Sequence, residues 1–452
     1  MKRESSKLKL FAVCILLLTA VICIQPVSAD SLENANVPIF TIPEKTIMYD
    51  GKACPEKVAL STYTQSSLNI PEFIIESSNA KKASNEIRHD EEIYSLVTFN
   101  NPIPIRSDTV EFDITLYGEE YTVNLERMPE NIDDGIDSYL GTVEGIENSE
   151  VIFTVNDKNL LIGSISYPGE YLTITSLDTN VETRISQNPL HIVYSEYDIL
   201  QPSEPVDICG MLEPTVSEIL ASESLMNLDD TSRATNSLVT VDVLVVTDNA
   251  FFTLEDNWVT KAQSYIAAAN SATSFGREDV GVFLNVISYD SSKRIEMSTH
   301  DTVLTNPLST LMSIYPRSYL DSVNADICLY LGGHDRSTGT SQGQAYNFGD
   351  RYAWSQMVAD ASIGAYNGGD HARKYCIIHE VGHCFNGRHE QGYAKWFSGS
   401  LVSNTVMIGE YYGSLFNLLE FSSTASPSYL GDATHDNAKM IRNYKATASQ
   451  HT

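Results

Sequence analysis

Two histidines four residues apart, His379 and His383, flank Glu380 in the segment Lys374-Tyr-Cys-Ile-Ile-His-Glu-Val-Gly-His-Cys-Phe-Asn-Gly-Arg-His-Glu390. Tyr375, Ile378, Val381 and Phe385 recur at three- and four-residue steps, which predicts a helix with one apolar face starting near Asp370. Four helical residues turn the chain by about 400°, so both imidazoles leave one face, roughly 6 Å apart along the axis, and can converge on one ion. A tetrahedral Zn²⁺ suits donors at that spacing. Glu380 points in a neighbouring direction, able to touch a water on the metal without entering its coordination sphere. Zinc lowers the pKa of such a water to about 7, so the segment holds the parts of a hydrolytic site that needs no serine or cysteine nucleophile.

His389, six residues past His383, supplies a third donor. By composition alone a bare HExxH arises on the order of once per hundred such chains. The third histidine brings that below roughly one in a thousand, which decides for chemistry over accident. Asn386 and Gly387 tolerate positive φ, which a helix needs in order to stop and return the chain toward the metal.

These residues resemble the metzincins, whose signature is HExxHxxGxxH followed by a methionine-containing turn beneath the zinc. Asn386 stands where that family has glycine, with Gly387 one position later, and asparagine can adopt the same left-handed conformation. Met407, in Ser403-Asn-Thr-Val-Met-Ile-Gly409, corresponds to the turn methionine, with a plain core methionine as the alternative. No tyrosine lies two residues after Met407, so the tyrosine ligand of astacins and serralysins is missing. The chain is most similar to the reprolysin or adamalysin group. Tyr139-Leu-Gly-Thr-Val-Glu-Gly145, Leu161-Ile-Gly-Ser-Ile165 and His191-Ile-Val-Tyr194 resemble propeptides of that group. Phe421-Ser-Ser-Thr-Ala-Ser-Pro427 and Asp436-Asn-Ala-Lys439 resemble the end of the catalytic domain in its prokaryotic members. Cys209-Gly210, after Pro205, resembles a cysteine switch with one extra residue between proline and cysteine.

The resemblance implies a zinc metalloendopeptidase made as a zymogen. His379, His383 and His389 would hold one Zn²⁺, Glu380 would act as general base, and the Cys209 thiolate would block the fourth position. It also places Gly343-Gln-Ala-Tyr346 on a sheet edge above the cleft, where an extended peptide could add as a strand. Protein or peptide substrates follow, with the enzyme a monomer. Two other readings remain open: a zinc-containing module that has lost catalysis and binds peptides or surfaces, and a gluzincin-like peptidase with a distant glutamate as third ligand.

The elements that must carry this site fall into two textures. From about 92 to 196, β-type runs such as Thr109-Val-Glu-Phe-Asp-Ile-Thr-Leu116 alternate with turn residues, predicting an all-β antiparallel unit, a sandwich or open barrel. After a polar stretch, Val239 to Val246 reads as a strand buried on both faces, Trp258 to Phe275 as a helix, Val280 to Ile287 as a strand, Pro307 to Val323 as a helix and Ala325 to Leu331 as a strand. The second half is therefore expected to be an α/β (α+β) domain with a twisted mixed sheet and an active-site helix. The expected organisation is a signal peptide at 1–29, a mainly β propeptide at 30–212, a linker at 213–236 with Arg233 as a cleavage site, and a catalytic domain at 237–452.

Lys2, Arg3, Lys7 and Lys9 precede the apolar run Leu10 to Ile24, and small residues Val27-Ser28-Ala29 follow, a pattern of export by a cleaved signal, with an uncleaved anchor as the alternative. With 29 Lys+Arg against 59 Asp+Glu, the net charge of -30 repels phosphate backbones and speaks against a nucleic-acid partner. Once the signal is removed, nothing remains to insert stably in a membrane. Cys54, Cys209, Cys328, Cys376 and Cys384 then leave an odd count, so one thiol has a use other than an internal bridge. Cys209 either serves the metal or pairs with a residue such as Cys54. Cys376 and Cys384, about 12 Å apart on one helix, cannot bridge each other, and either one pairs with Cys328 or all three are buried small residues.

Overall fold

The alternating runs of the first half pair with their sequence neighbours. In the computed structural model, strands β1 (Phe40–Thr41), β2 (Ile47–Tyr49), β3 (Glu92–Val97), β4 (Thr109–Leu116), β5 (Glu119–Arg127), β6 (Ile136–Val143), β7 (Glu150–Asn156), β8 (Leu161–Tyr167), β9 (Glu170–Ser176) and β10 (His191–Ser195) share one sheet. Their order is β1-β4-β5-β6-β7-β8-β9-β10-β3-β2. The structure describes most of residues 106–176, 191–196, 206–209, 237–295, 307–332, 342–357 and 370–450, and the backbones of β1, β2 and β3. The signal at 1–29, Cys54, Pro205, Gly210 and the 213–236 segment with Arg233 lie outside the described residues. No helix among those described is long and apolar enough to cross a membrane.

From β4 to β10 the sheet is a meander in which each strand is antiparallel to the next. Hydrogen bonding is continuous across it, an open sheet and not the two-sheet sandwich that was one of the expectations, because short turns return each strand beside its predecessor. Gly169, at φ 91, makes the β8–β9 turn, a conformation any Cβ would strain. Every second side chain enters one core, with Tyr139, Phe153, Ile165 and Ile174 fully buried.

The second half is built on β12 (Val239–Asp248), β13 (Val282–Ile295), β14 (Ile327–Gly332), β15 (Gly343–Ala345) and β16 (Tyr352–Gln356) in the order β13-β12-β14-β16-β15, after the short strand β11 (Val206–Asp207). The first four positions are parallel and β15 is an antiparallel edge, the expected mixed sheet. Val241, Val243 and Val245 face a core shared with α1 (Trp258–Ala269) and α4 (Asp370–Cys384). Leu244 and Val246 face α2 (Pro307–Ile314) and α3 (Arg317–Ser322). Both faces of β12 are thus covered, which is why its sequence is an unbroken apolar run.

Two predicted helices are shorter than their periodicity. The first stops at Ala269 because Asn270 turns its side chain to the sheet, pairing with both backbone groups of Leu284 at 2.8 and 2.7 Å. The 307–323 stretch splits at Pro316, which has no N–H for a continuing helix and begins α3 as its N-cap. The chain ends on α5 (Asn437–Ala448), where Asp436 accepts a hydrogen bond from the Lys439 N–H at 2.9 Å. Asp436→Ala is expected to lower stability by about 1 kcal/mol, read as a shifted urea midpoint with unchanged slope, and Asp436→Ser to recover most of it.

Candidate metal centre

Helix α4 buries every one of its fifteen residues. Ile377, Ile378 and Val381 enter the sheet core, and Tyr375 donates its hydroxyl to the carbonyls of Thr405 at 3.1 Å and Ile408 at 2.9 Å. That fixes the helix against the turn carrying Met407. His379 and His383 leave the helix one turn apart, and His389 arrives on a single 3-10 turn, His389–Gln391.

The three Nε2 atoms form a near-equilateral triangle, with separations of 2.9 Å (His379 to His389), 3.1 Å (His379 to His383) and 3.3 Å (His383 to His389). The other ring nitrogens decide the tautomers. His379 Nδ1 lies 2.6 Å from the Val406 carbonyl oxygen, and His383 Nδ1 lies 2.8 Å from that of Gly387. A carbonyl only accepts, so each Nδ1 carries the proton and each Nε2 presents a lone pair to the centre. Lone pairs facing lone pairs repel unless a cation lies between them. Imidazole nitrogens about 2.0–2.1 Å from a tetrahedral zinc would stand about 3.3 Å apart, close to the triangle observed.

Burial acts in the same direction. Burial first, then the neighbouring imidazoles, hold His379 well below the ordinary imidazole range; burial and His389 take His383 down to about 3, and burial takes His389 to about 4. The rings are held neutral, the form that ligates.

The reversal between His383 and His389 divides its duties differently from the sequence reading. Asn386 alone takes the left-handed conformation, at φ 65. Gly387 is not at positive φ; it is needed for closeness, since a Cβ there would lie 2.8 Å from the Gly382 carbonyl oxygen and 3.2 Å from Met407 Cε. Met407 is fully buried, and a Cβ on Gly382 would lie 2.6 Å from its sulfur. The methionine therefore fills the space under the helix that two glycines leave open.

Glu380 is buried beside the triangle. Cys209 completes the group: its Sγ is 3.4 Å from His383 Nε2 and 3.6 Å from Glu380 Oε2, and the four donor atoms of Cys209, His379, His383 and His389 lie within 4.8 Å of one another. Such a set can hold a metal ion. Burial, then the Glu380 carboxylate, push the Cys209 thiol well above its ordinary value, and a cation at the centre would act in the opposite sense. Cys209, Cys328, Cys376 and Cys384 are all buried thiols, none in a disulfide.

Cys209 is delivered by backbone pairing on two sides. Strand β11 pairs with β19 (Glu410–Tyr411), reached after β17 (Ala394–Phe397) and β18 (Ser400–Asn404), and Ile208 N–H donates to the Gly409 carbonyl at 2.9 Å. On the other side Gly343 N–H donates to the Ile208 carbonyl at 2.7 Å, with Cys209 bridged to Gly343 on the edge strand β15. Gly343 is pressed onto the site, because a Cβ there would fall 2.4 Å from Glu380 Oε1. The backbone carbonyls of Val406 and Gly387, the Tyr375 hydroxyl and Gly382 were not singled out in the sequence; only the glycine had a visible signal, its place on the helix face turned to Met407. His371 is buried with Nδ1 3.0 Å from the Tyr411 hydroxyl, away from the triangle.

No family model and no curated protein matches the sequence. Among solved structures the chain is similar to metalloproteinase-II from Bacteroides fragilis, with 13% identity and a TM-score of 0.42, over 70% of this chain and 89% of that one.

Asn386→Gly is expected to leave metal content and stability within a few tenths of a kcal/mol, since glycine takes the same φ freely, whereas Gly387→Ala should displace the turn and lower metal affinity by at least about tenfold. Competition with a chromogenic chelator reads both.

Proposed function

We propose that this chain is a zinc-dependent endopeptidase of metzincin type, reprolysin-like, exported by its N-terminal signal and made as a zymogen. The observation that carries the reading is the triangle of three neutral imidazoles, with the lone pairs of His379 and His383 fixed inward, beside a buried carboxylate. His379, His383 and His389 would hold the ion. When bound, zinc supplies Lewis-acid polarisation of a peptide carbonyl and acidifies a water at the site.

The chain's own groups do the rest. The hydrogen bonds from His379 and His383 to backbone carbonyls orient two of the donors and keep them neutral. Glu380, set against Gly343 at the edge strand, takes the proton of the attacking water and passes it to the departing amine nitrogen. The edge strand β15 offers a polypeptide its backbone groups, as it offers Gly343 N–H to Ile208. A protein or peptide substrate in extended form suits that edge, and the net charge of -30 argues against a nucleic-acid substrate.

Residues 30–212 would form the propeptide. The segment at 206–209 occupies the edge strand and points the Cys209 thiol at the metal donors, so water and substrate are both kept out until it leaves. Release would require cutting within 213–236.

Glu380→Ala is expected to retain about one equivalent of zinc and lose roughly 10²- to 10⁴-fold in hydrolysis of a casein substrate by the processed form. Full activity in that variant would remove Glu380 from the mechanism; bound metal with no hydrolysis in the processed wild type would favour an inert binding module. Cys209→Ala is expected to leave the uncut precursor silent on casein, because the backbone of 206–209 still pairs with the edge strand, and casein hydrolysis by that uncut variant would mean that the thiol alone makes the block.

A further inference from the structure

Apart from the pairing of residues 206–209, the N-terminal sheet touches helix α4 at the end away from the metal donors. The first N–H groups of a helix have no partner inside it. In α4 the His371 N–H donates to Oε1 of Glu196, 3.1 Å away, on the residue that follows β10. Glu196 is only 2% exposed and is itself held from β9, accepting from the Thr173 hydroxyl at 2.6 Å and donating its own N–H to the Tyr171 carbonyl at 2.8 Å. Beside it Lys374, 1% exposed, pairs with Asp370 at 2.7 Å and reaches the Tyr171 hydroxyl at 3.3 Å, while the Tyr171 ring meets His371 edge-on at 4.9 Å.

The same sheet covers α1. Met128 and Ile152 pack on Ala267 and Ala268, whose small side chains let the sheet approach closely, and Asn156 Nδ2 donates to Thr260 Oγ1 at 3.2 Å. The contacts of Glu196 and Tyr171 with His371, of Tyr171 with Lys374 and of the sheet with α1 join the two halves, and none involves Cys209.

We propose that this seam is a docking surface whose partner is the chain's own N-terminal sheet, anchored by Glu196 on the first turn of the active-site helix, and that it holds the two halves together without a covalent link. Cutting the connecting segment is then not sufficient for release; the Glu196 contact must break as well. Loss of the carboxylate that accepts from this buried N–H is worth about tenfold or more in association. The inference rests on the zymogen reading for its biological sense, but it concerns binding and is read by binding.

The test uses the full chain carrying Glu380→Ala, with a site for a specific protease inserted between residues 213 and 236. After cutting, the fragments are run on size exclusion at about 1 μM, and their dissociation is followed on dilution. They are expected to co-migrate, and to do so equally with Cys209→Ala added. Glu196→Ala is expected to weaken association at least about tenfold, whereas Glu196→Gln keeps an oxygen for the His371 N–H and should recover to within about threefold. Should Glu196→Ala fail to fold, Ala267→Glu, which puts a charge beneath Met128 and Ile152, is expected to separate the halves. Fragments that part on cutting in the otherwise native chain, association equal to native in Glu196→Ala, or co-migration in Ala267→Glu would overturn the proposal.

Discussion

Three imidazole nitrogens stand about 3 Å apart, and those of His379 and His383 turn lone pairs toward one point, an arrangement that a shared cation makes favourable. The protein imposes it through backbone carbonyls. The carbonyls of Val406 and Gly387 each accept a hydrogen bond from a ring Nδ1–H, which removes the alternative tautomer and aims the other nitrogen at the centre. The apolar face of α4, the reversal at Asn386 and the methionine under Gly382 then read as parts that keep the triangle closed. Burial contributes by holding the rings neutral, so that a metal does not compete with protons for them.

The second constraint is the edge strand. A glycine at 343 allows its backbone to lie against Glu380, and that closeness brings a chain paired with the edge directly over the carboxylate. Residues 206–209 use the edge in that way, paired also with β19 on the far side. The group that would exclude substrate and the surface that would bind it are thus the same few backbone hydrogen bonds. The Glu196 contact, at the other end of α4, is separate from both.

Much of this was legible in the sequence wherever the physics is local. The i,i+4 spacing of His379 and His383 fixes their common face, and Asn386 announces a left-handed turn that it indeed makes. The unbroken apolar run at 239–246 corresponds to a strand covered on both sides. Where reading fell short, the deciding partner was distant or had no side chain. The 307–323 periodicity hid the break at Pro316, because apolar spacing continues across it while the hydrogen-bond ladder cannot. Carbonyls that orient the histidines carry no residue signature. Glu196 looks like any surface glutamate until the fold brings it to a helix 175 residues away.

The most direct measurement is X-ray absorption at the zinc edge on the purified precursor and on its Cys209→Ala variant. The precursor is expected to contain one zinc with three nitrogen donors at about 2.0–2.1 Å and one sulfur at about 2.3 Å, and the variant to lose the sulfur while keeping the three nitrogens. A protein that binds no metal, or a metal with fewer than three imidazole donors, would contradict the account at its root.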